Sequence, residues 1–177
     1  MKKKISNVDL KNYKIIRKNV KKQIKNVLSI KNNNSKKVLE IAPQIHNDSK
    51  GLSNKKIFTL DINKNSKCDF IADICKNNSK IIPSNFFDVV ICTEVLEHTK
   101  NPFKAVKELF RILKNKGLLL VTTPFDFRIH GPLPDCWRFT EHGLKELFKN
   151  FSTIKIESIN NNKRFLMPIC YTVLAQK

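Results

Sequence analysis

The chain predicts an α/β fold built on a largely parallel sheet with a reversed last strand. Three observations predict it. Short apolar, β-branched runs recur along the 177 residues with amphipathic stretches between several of them, the pattern of strand–helix alternation. Several runs end on a carboxylate, at Asp61, at Asp73 and at Glu94 just past Cys92 and Thr93. Two last runs, residues 152–159 and 169–175, have no evident helix between them. They therefore read as an antiparallel pair, with the final strand inserted back into the sheet.

Taken in order, Tyr13, Ile16, Val20, Ile24 and Val27 recur at three- and four-residue steps, a helix with one apolar stripe and a lysine-rich outer face. Residues 1–35 are read as this basic helix, packed on or beside a main domain of residues 36–177. A polar break at 32–37 leads to strands at 38–42, 57–61 and 69–73, and the loop between the first two is short and polar. Residues 87–93 form a buried strand that turns into a helical segment carrying Glu94, Glu97 and His98. Asn101 is placed to cap the next helix with Pro102 at its first position, where a missing N–H costs nothing. Phe103, Val106, Phe110 and Leu113 give that helix a buried face, and Gly117 is placed to stop it. Residues 118–123 are a fifth, fully buried strand, and Thr140 caps a helix through Phe148.

Composition narrows the function classes. The net charge of +19 points toward nucleic acid or an anionic surface, yet only Arg17, Arg111, Arg128, Arg138 and Arg164 carry the guanidinium fork that phosphate readers favour. The rest is lysine, accompanied by asparagine runs and isoleucine, which reads as compositional bias at surface positions. Charge does cluster in residues 1–37, where thirteen Lys or Arg face the single acid Asp9. No apolar run approaches the ~20 residues that span a bilayer, and the start lacks a signal-peptide core, so a cytoplasmic protein is expected. The five cysteines never form C-x-x-C, which argues against a zinc site or a disulfide framework.

Carboxylates at strand ends suit a nucleoside-like ligand. One carboxylate can accept both hydroxyls of a ribose diol, which fits Asp61. Asp73, one strand over, can accept from an exocyclic adenine amine, with Ile62 and Ile74 covering the ring faces. The series Val38-Leu39-Glu40-Ile41, Thr59-Leu60-Asp61-Ile62, Phe87-Asp88-Val89-Val90, Glu94-Val95-Leu96-Glu97-His98 and 118–125 resembles class I S-adenosylmethionine-dependent methyltransferases of the small-molecule group. The resemblance implies a three-layer, Rossmann-like sheet of seven strands in the order 3-2-1-4-5-7-6, last strand antiparallel. It also implies S-adenosyl-L-methionine as cofactor. The end of the first strand, with Glu40 and Ala42, would hold the methionine part, Asp61 the ribose, and Asp73 and Ile74 the adenine. Cys92, Thr93 and Glu94 would border the sulfonium. The family's first loop is usually glycine-rich, whereas Ile41-Ala42-Pro43-Gln44-Ile45-His46 contains no glycine.

The expected reaction is methyl transfer to a small-molecule or glycan-precursor acceptor, with oxygen as the acceptor atom. Glu94, Glu97 and His98, at i, i+3 and i+4, share one face if the segment is helical; similar segments bind a divalent ion in some quinone and RNA methyltransferases. The same groups also suit hydrogen bonding at a helix start, so a metal stays open. His130 and Asp135 lie in the loop after the fifth strand, as general bases or as loop-fixing groups, and Trp137 and Phe139 close the core edge. His46 and His142 read as surface residues. Two rivals remain. An NAD-dependent Rossmann oxidoreductase lacks its G-x-G-x-x-G here, and a non-catalytic nucleoside- or RNA-binding module needs the basic first helix as a working surface.

Overall fold

The computed structural model describes residues 5–30, 37–43, 49, 56–161 and 164–177. The polar break at 32–36, His46 and most of the glycine-free loop lie outside the described residues, as does any helix after the first strand. The elements are α1 (Asn7–Ile30), β1 (Lys37–Ile41), β2 (Lys56–Asp61), β3 (Phe70–Ile71), β4 (Phe87–Thr93), a short 3-10 turn (Leu96–His98), α2 (Pro102–Ile112), β5 (Leu113–Pro124), α3 (Glu141–Leu147), β6 (Thr153–Ile159) and β7 (Cys170–Gln176). The strands form one sheet in the order β3-β2-β1-β4-β5-β7-β6. Strands β1 to β5 are parallel, and β7 runs antiparallel to both β5 and β6. The expected topology is the observed one.

Alternation along the central strands feeds two cores. Val89, Ile91, Leu118 and Leu120 face one side and pack with Ile16, Val20, Ile24 and Val27 of α1. Val90, Cys92, Leu119 and Val121 face the other, against Ala105, Leu109 and Ile112 of α2 and Leu144 of α3. Strands buried on both faces read as continuous apolar runs, which is why β4 and β5 stood out in the sequence. Ser6 begins α1 by accepting from the Asp9 N–H at 3.0 Å. Val20 and Ile24 are fully buried, each contributing about 1.5–3 kcal/mol of apolar transfer. Tyr13, expected in the stripe, is exposed. Its place is taken by Asn12 and Asn19, whose amides bond Asp126 O at 2.7 Å and Thr172 Oγ1 at 2.9 Å.

The end of α2 also departs from expectation. Asn101 caps the helix by accepting from Lys104 N at 3.0 Å, as its position implied. The buried face, however, is Pro102, Ala105, Val106, Leu109 and Ile112, and Phe103 is left exposed. The chain turns extended at Leu113 with no left-handed residue, so Gly117 lies inside β5. Glycine is needed there for space: a Cβ would sit 2.7 Å from Lys114 O and 3.3 Å from Asp88 O.

Candidate active site

The parallel strands end on a cleft of about 380 Å³, within the range of small-molecule sites. One wall is made by the ends of β1, β2 and β3. Asp61 closes β2, its Oδ1 accepting from Asn63 N at 2.8 Å; Asp73 follows β3, its Oδ1 accepting from Cys75 N at 2.8 Å. Both carboxylates are thus oriented by their own turns before any ligand arrives. Ile62 and Ile74 flank them on the cleft wall. Ala42 begins the first loop with φ 49°, the left-handed conformation that a glycine would adopt without strain. The glycine signature is missing, but the backbone shape it serves is present.

The opposite wall is built from the turn after β4 and the loop between β5 and α3. Glu94 also has positive φ (54°), its N–H donating to Thr122 O and its Oε1 accepting from Thr122 Oγ1 at 2.8 Å. Glu97 follows in the 3-10 turn with a fully buried side chain, and among the described residues no other donates a hydrogen bond to either carboxylate oxygen. The two imidazoles nearest it are those of His98 and His130, each Nε2 lying 3.8 Å from Glu97 Oε1. Their rings meet edge to face at 4.8 Å.

Each imidazole is oriented from behind. His98 Nδ1 is 3.0 Å from Pro134 O, so Nδ1 carries the proton and donates, leaving the Nε2 lone pair toward Glu97. His130 Nδ1 lies 3.0 Å from Asp135 Oδ2 without hydrogen-bond geometry, and the same oxygen accepts from His130 N. Arg138 forks onto Asp135 at 2.6 and 2.9 Å and bonds the carbonyls of Phe127 and Arg128. The loop is tied to the turn below it, because Cys136 N and Trp137 N donate to Glu97 O and Trp137 Nε1 donates to Thr99 O.

Electrostatics follow from this packing. Burial first, and then the neighbouring Glu94, push Glu97 well above the usual carboxylate range. Burial likewise raises Glu94 to about 7, against the Thr122 hydroxyl and the charges of Arg17 and Arg138. His130 is held below its ordinary value by burial and by His98, which keeps it neutral at pH 7. Asp135 is penalised by burial, but Arg138 and His130 outweigh that and hold it at about 2. Asp135 is therefore a permanent anion that orients His130.

The buried, unpartnered oxygens of Glu97 and two convergent Nε2 atoms are a donor set that fits a divalent cation. A buried carboxylate without donors is costly unless it is protonated or coordinated. The three ligand atoms lie within 4.8 Å of one another. The candidate trio in the sequence was Glu94, Glu97 and His98, with a metal left open. Glu94 leaves it because the left-handed turn breaks the helical face and sends its carboxylate to Thr122, and His130 arrives from the loop instead.

A methyltransferase domain family matches residues 13–153. The chain belongs to the methyltransferase domain family. Among solved structures, a SAM-dependent methyltransferase from Archaeoglobus fulgidus superposes with a TM-score of 0.69 at 16% identity, covering 91% of this chain and 94% of that one. Phosphoethanolamine N-methyltransferase 2 of Haemonchus contortus, solved with S-adenosyl-L-methionine, gives 0.66 at 15% identity over 88% of this chain and 52% of that one. Curated relatives match over short stretches. A ubiquinone biosynthesis O-methyltransferase of Glaesserella parasuis is 36% identical over 55 residues, 31% of this chain and 21% of its own length. A tRNA U34 carboxymethyltransferase of Helicobacter pylori is 48% identical over 40 residues, 23% and 15% respectively. The matched stretches thus span about a fifth or less of these curated proteins.

As a class I methyltransferase domain, the protein is an enzyme that takes S-adenosyl-L-methionine. Of the nine cofactor residues read from the sequence, Ala42, Asp61, Ile62, Asp73, Ile74 and Glu94 line the cleft. Glu40, Cys92 and Thr93 do not. Glu40 is buried and accepts from the Ser49 hydroxyl, and Cys92 is fully buried in the core with its thiol pushed up by burial. Cys75 and Thr99 line the cleft without having been singled out, and the Pro132–Pro134 segment lines it as part of the loop that carries His130 and Asp135. Only the last carried a signal, two prolines that limit a loop's freedom. No helix among the described residues is long and apolar enough to cross a membrane.

Proposed function

We propose that this chain transfers the methyl group of S-adenosyl-L-methionine to an oxygen of a small-molecule or glycan-precursor acceptor. The observation that carries the reading is the pairing, across one cleft, of strand-end carboxylates on one wall with His98 on the other, backed by the buried Glu97 and by His130, each imidazole Nε2 lying 3.8 Å from Glu97 Oε1. Asp61 accepts the ribose hydroxyls and Asp73 the adenine amine. The C–S bond breaks as the C–O bond forms, and the sulfonium needs no further activation, so holding donor and acceptor in line is the main catalytic work. A neutral hydroxyl must also lose its proton. Glu97, His98 and His130 would hold a divalent cation, which when bound supplies Lewis acidity to the acceptor oxygen. Pro134 O keeps the His98 Nε2 lone pair turned toward that place, and Asp135 holds the His130 backbone N–H beside it.

A second reading assigns the proton directly to His130 Nε2. It is favoured by the 3.0 Å contact with Asp135, which would stabilise the imidazolium formed. Cation titration separates the two. A thermal-shift screen of S-adenosyl-L-methionine, S-adenosylhomocysteine, NAD and RNA tests the activity class. Stabilisation by the first two alone is expected; stabilisation by NAD or by RNA alone would replace the proposal with the oxidoreductase or the binding module.

A further inference from the structure

The apolar stripe of α1 does not stop where the sheet does. Asn12 marks the last contact with the sheet side, bonding Asp126 O at the exit of β5, and one turn earlier Val8 continues the stripe into solvent at 59% exposure, preceded by Ile5 at 41%. The same end of the molecule carries Ile129 at 75%, Leu133 at 75%, Phe165 at 92% and Leu166 at 81%. Asp126 binds these segments together. Its carboxylate accepts from Arg164 Nη1 at 3.0 Å and Asn161 Nδ2 at 3.2 Å, its N–H donates to Pro168 O, and its carbonyl takes the Asn12 amide. Leu166 is held at φ 53°, a left-handed conformation costly for a bulky residue, and its side chain gains no packing in return. An apolar rim of this kind, rather than single scattered residues, marks an interaction surface.

We infer that this rim docks the protein on an anionic lipid bilayer, with Phe165 and Leu166 entering the headgroup–acyl boundary. Charge complementarity selects the occupant. The chain carries +19, and Lys11, Lys14, Lys18 and Arg128 are exposed on α1 and on the loop beside the rim. Lysines keep their heads at a headgroup surface while their stems lie on apolar neighbours. A nucleic acid is the poorer match, because single strands are held by stacked aromatics and arginine, and five of the six rim side chains are aliphatic. Leu133 also lines the cleft, so the docked face is the acceptor side of the active site. The inference stands on exposure and charge and is independent of which acceptor is methylated.

The test is co-sedimentation of the full chain with vesicles of equal parts phosphatidylglycerol and phosphatidylcholine, and with phosphatidylcholine alone. The variant is Phe165→Ser/Leu166→Ser, whose side chains support no core contact, with S-adenosylhomocysteine binding as the check of folding. Expected are binding to the anionic vesicles only and a loss of at least about tenfold in partition for the double variant. Three outcomes overturn the inference. One is vesicle binding that the double variant leaves intact. Another is binding of a short single-stranded RNA in place of vesicles. The third is self-association of the wild-type chain in sedimentation velocity, abolished by the double variant, without vesicle binding.

Discussion

The proposed cofactor wall and the proposed acceptor wall of the cleft differ in how far along the chain their groups are gathered. On the cofactor wall, Asp61 and Asp73 are each fixed by an N–H two residues on, a bond the local turn makes by itself. On the acceptor wall, His98 is oriented by a carbonyl 36 residues away, and Glu97 O holds the N–H groups of Cys136 and Trp137. The first wall is a set of independent local devices. The second exists only when the β5–α3 loop folds over the turn after β4, and its charges depend on one another through burial. Damage on the first wall should therefore weaken one ligand, whereas damage on the second should abolish chemistry while sparing the cofactor.

The largest expected effect is on turnover. Glu97→Gln keeps the shape of the side chain and removes its charge, and His130→Asn removes an Nε2 donor; each should lower the methyl-transfer rate by about 10²–10⁴. S-adenosylhomocysteine affinity, measured by calorimetry on the same variants, should stay within a factor of about two, since neither residue touches the strand-end wall. On that wall, Asp61→Ala should weaken S-adenosylhomocysteine by about 1.5–3 kcal/mol, the worth of hydrogen bonds to a charged acceptor. Unchanged affinity would remove Asp61 from the site and with it the contrast between the walls.

A smaller effect is expected at Ala42. Its left-handed backbone carries a Cβ penalty that glycine lacks, so Ala42→Gly should stabilise the fold by about 0.5–1 kcal/mol in urea unfolding. The sign distinguishes a strained, functional loop from one in which alanine packs favourably.

The pH dependence should follow the acceptor wall. Glu94 is raised from 4.5 to about 7, so its contribution to stability is complete below about pH 4.5 and is lost as pH rises through 7. Asp135 acts in the opposite sense; held at about 2, it stabilises above pH 3.8 and ceases to as pH falls through 2. Thermal unfolding without added divalent ions should thus decline from pH 5 to 8 in the wild type and less so in Glu94→Gln. A parallel decline in both would assign it to other groups.

The same contrast explains what the sequence revealed. The central strands were legible because buried parallel strands write themselves as uninterrupted apolar runs, and Asp61 and Asp73 because they sit at the ends of such runs; the order of the strands came from the resemblance and not from the runs themselves. Asn101 and Thr140 announced helix starts for local reasons. The face of α2 was misplaced at Phe103, because an aromatic ring in a helical pattern does not say which side the sheet lies on. Glu94 was grouped with Glu97 and His98 because spacing cannot show a left-handed residue at a strand exit. His130 was read as a base or a loop-fixing group; its partnership with Glu97 is a tertiary fact, made by the fold of a loop that carries no periodic signal.

The most direct measurement is a calorimetric titration of Mn²⁺ into the protein at pH 7.5, in the wild type and in Glu97→Gln, each followed by S-adenosylhomocysteine. The account predicts one Mn²⁺ site in the wild type, its affinity lowered by about 10² or more in the variant, with the S-adenosylhomocysteine isotherm the same in both. A wild type that takes up no Mn²⁺, or a variant that binds it as well as the wild type, would contradict it.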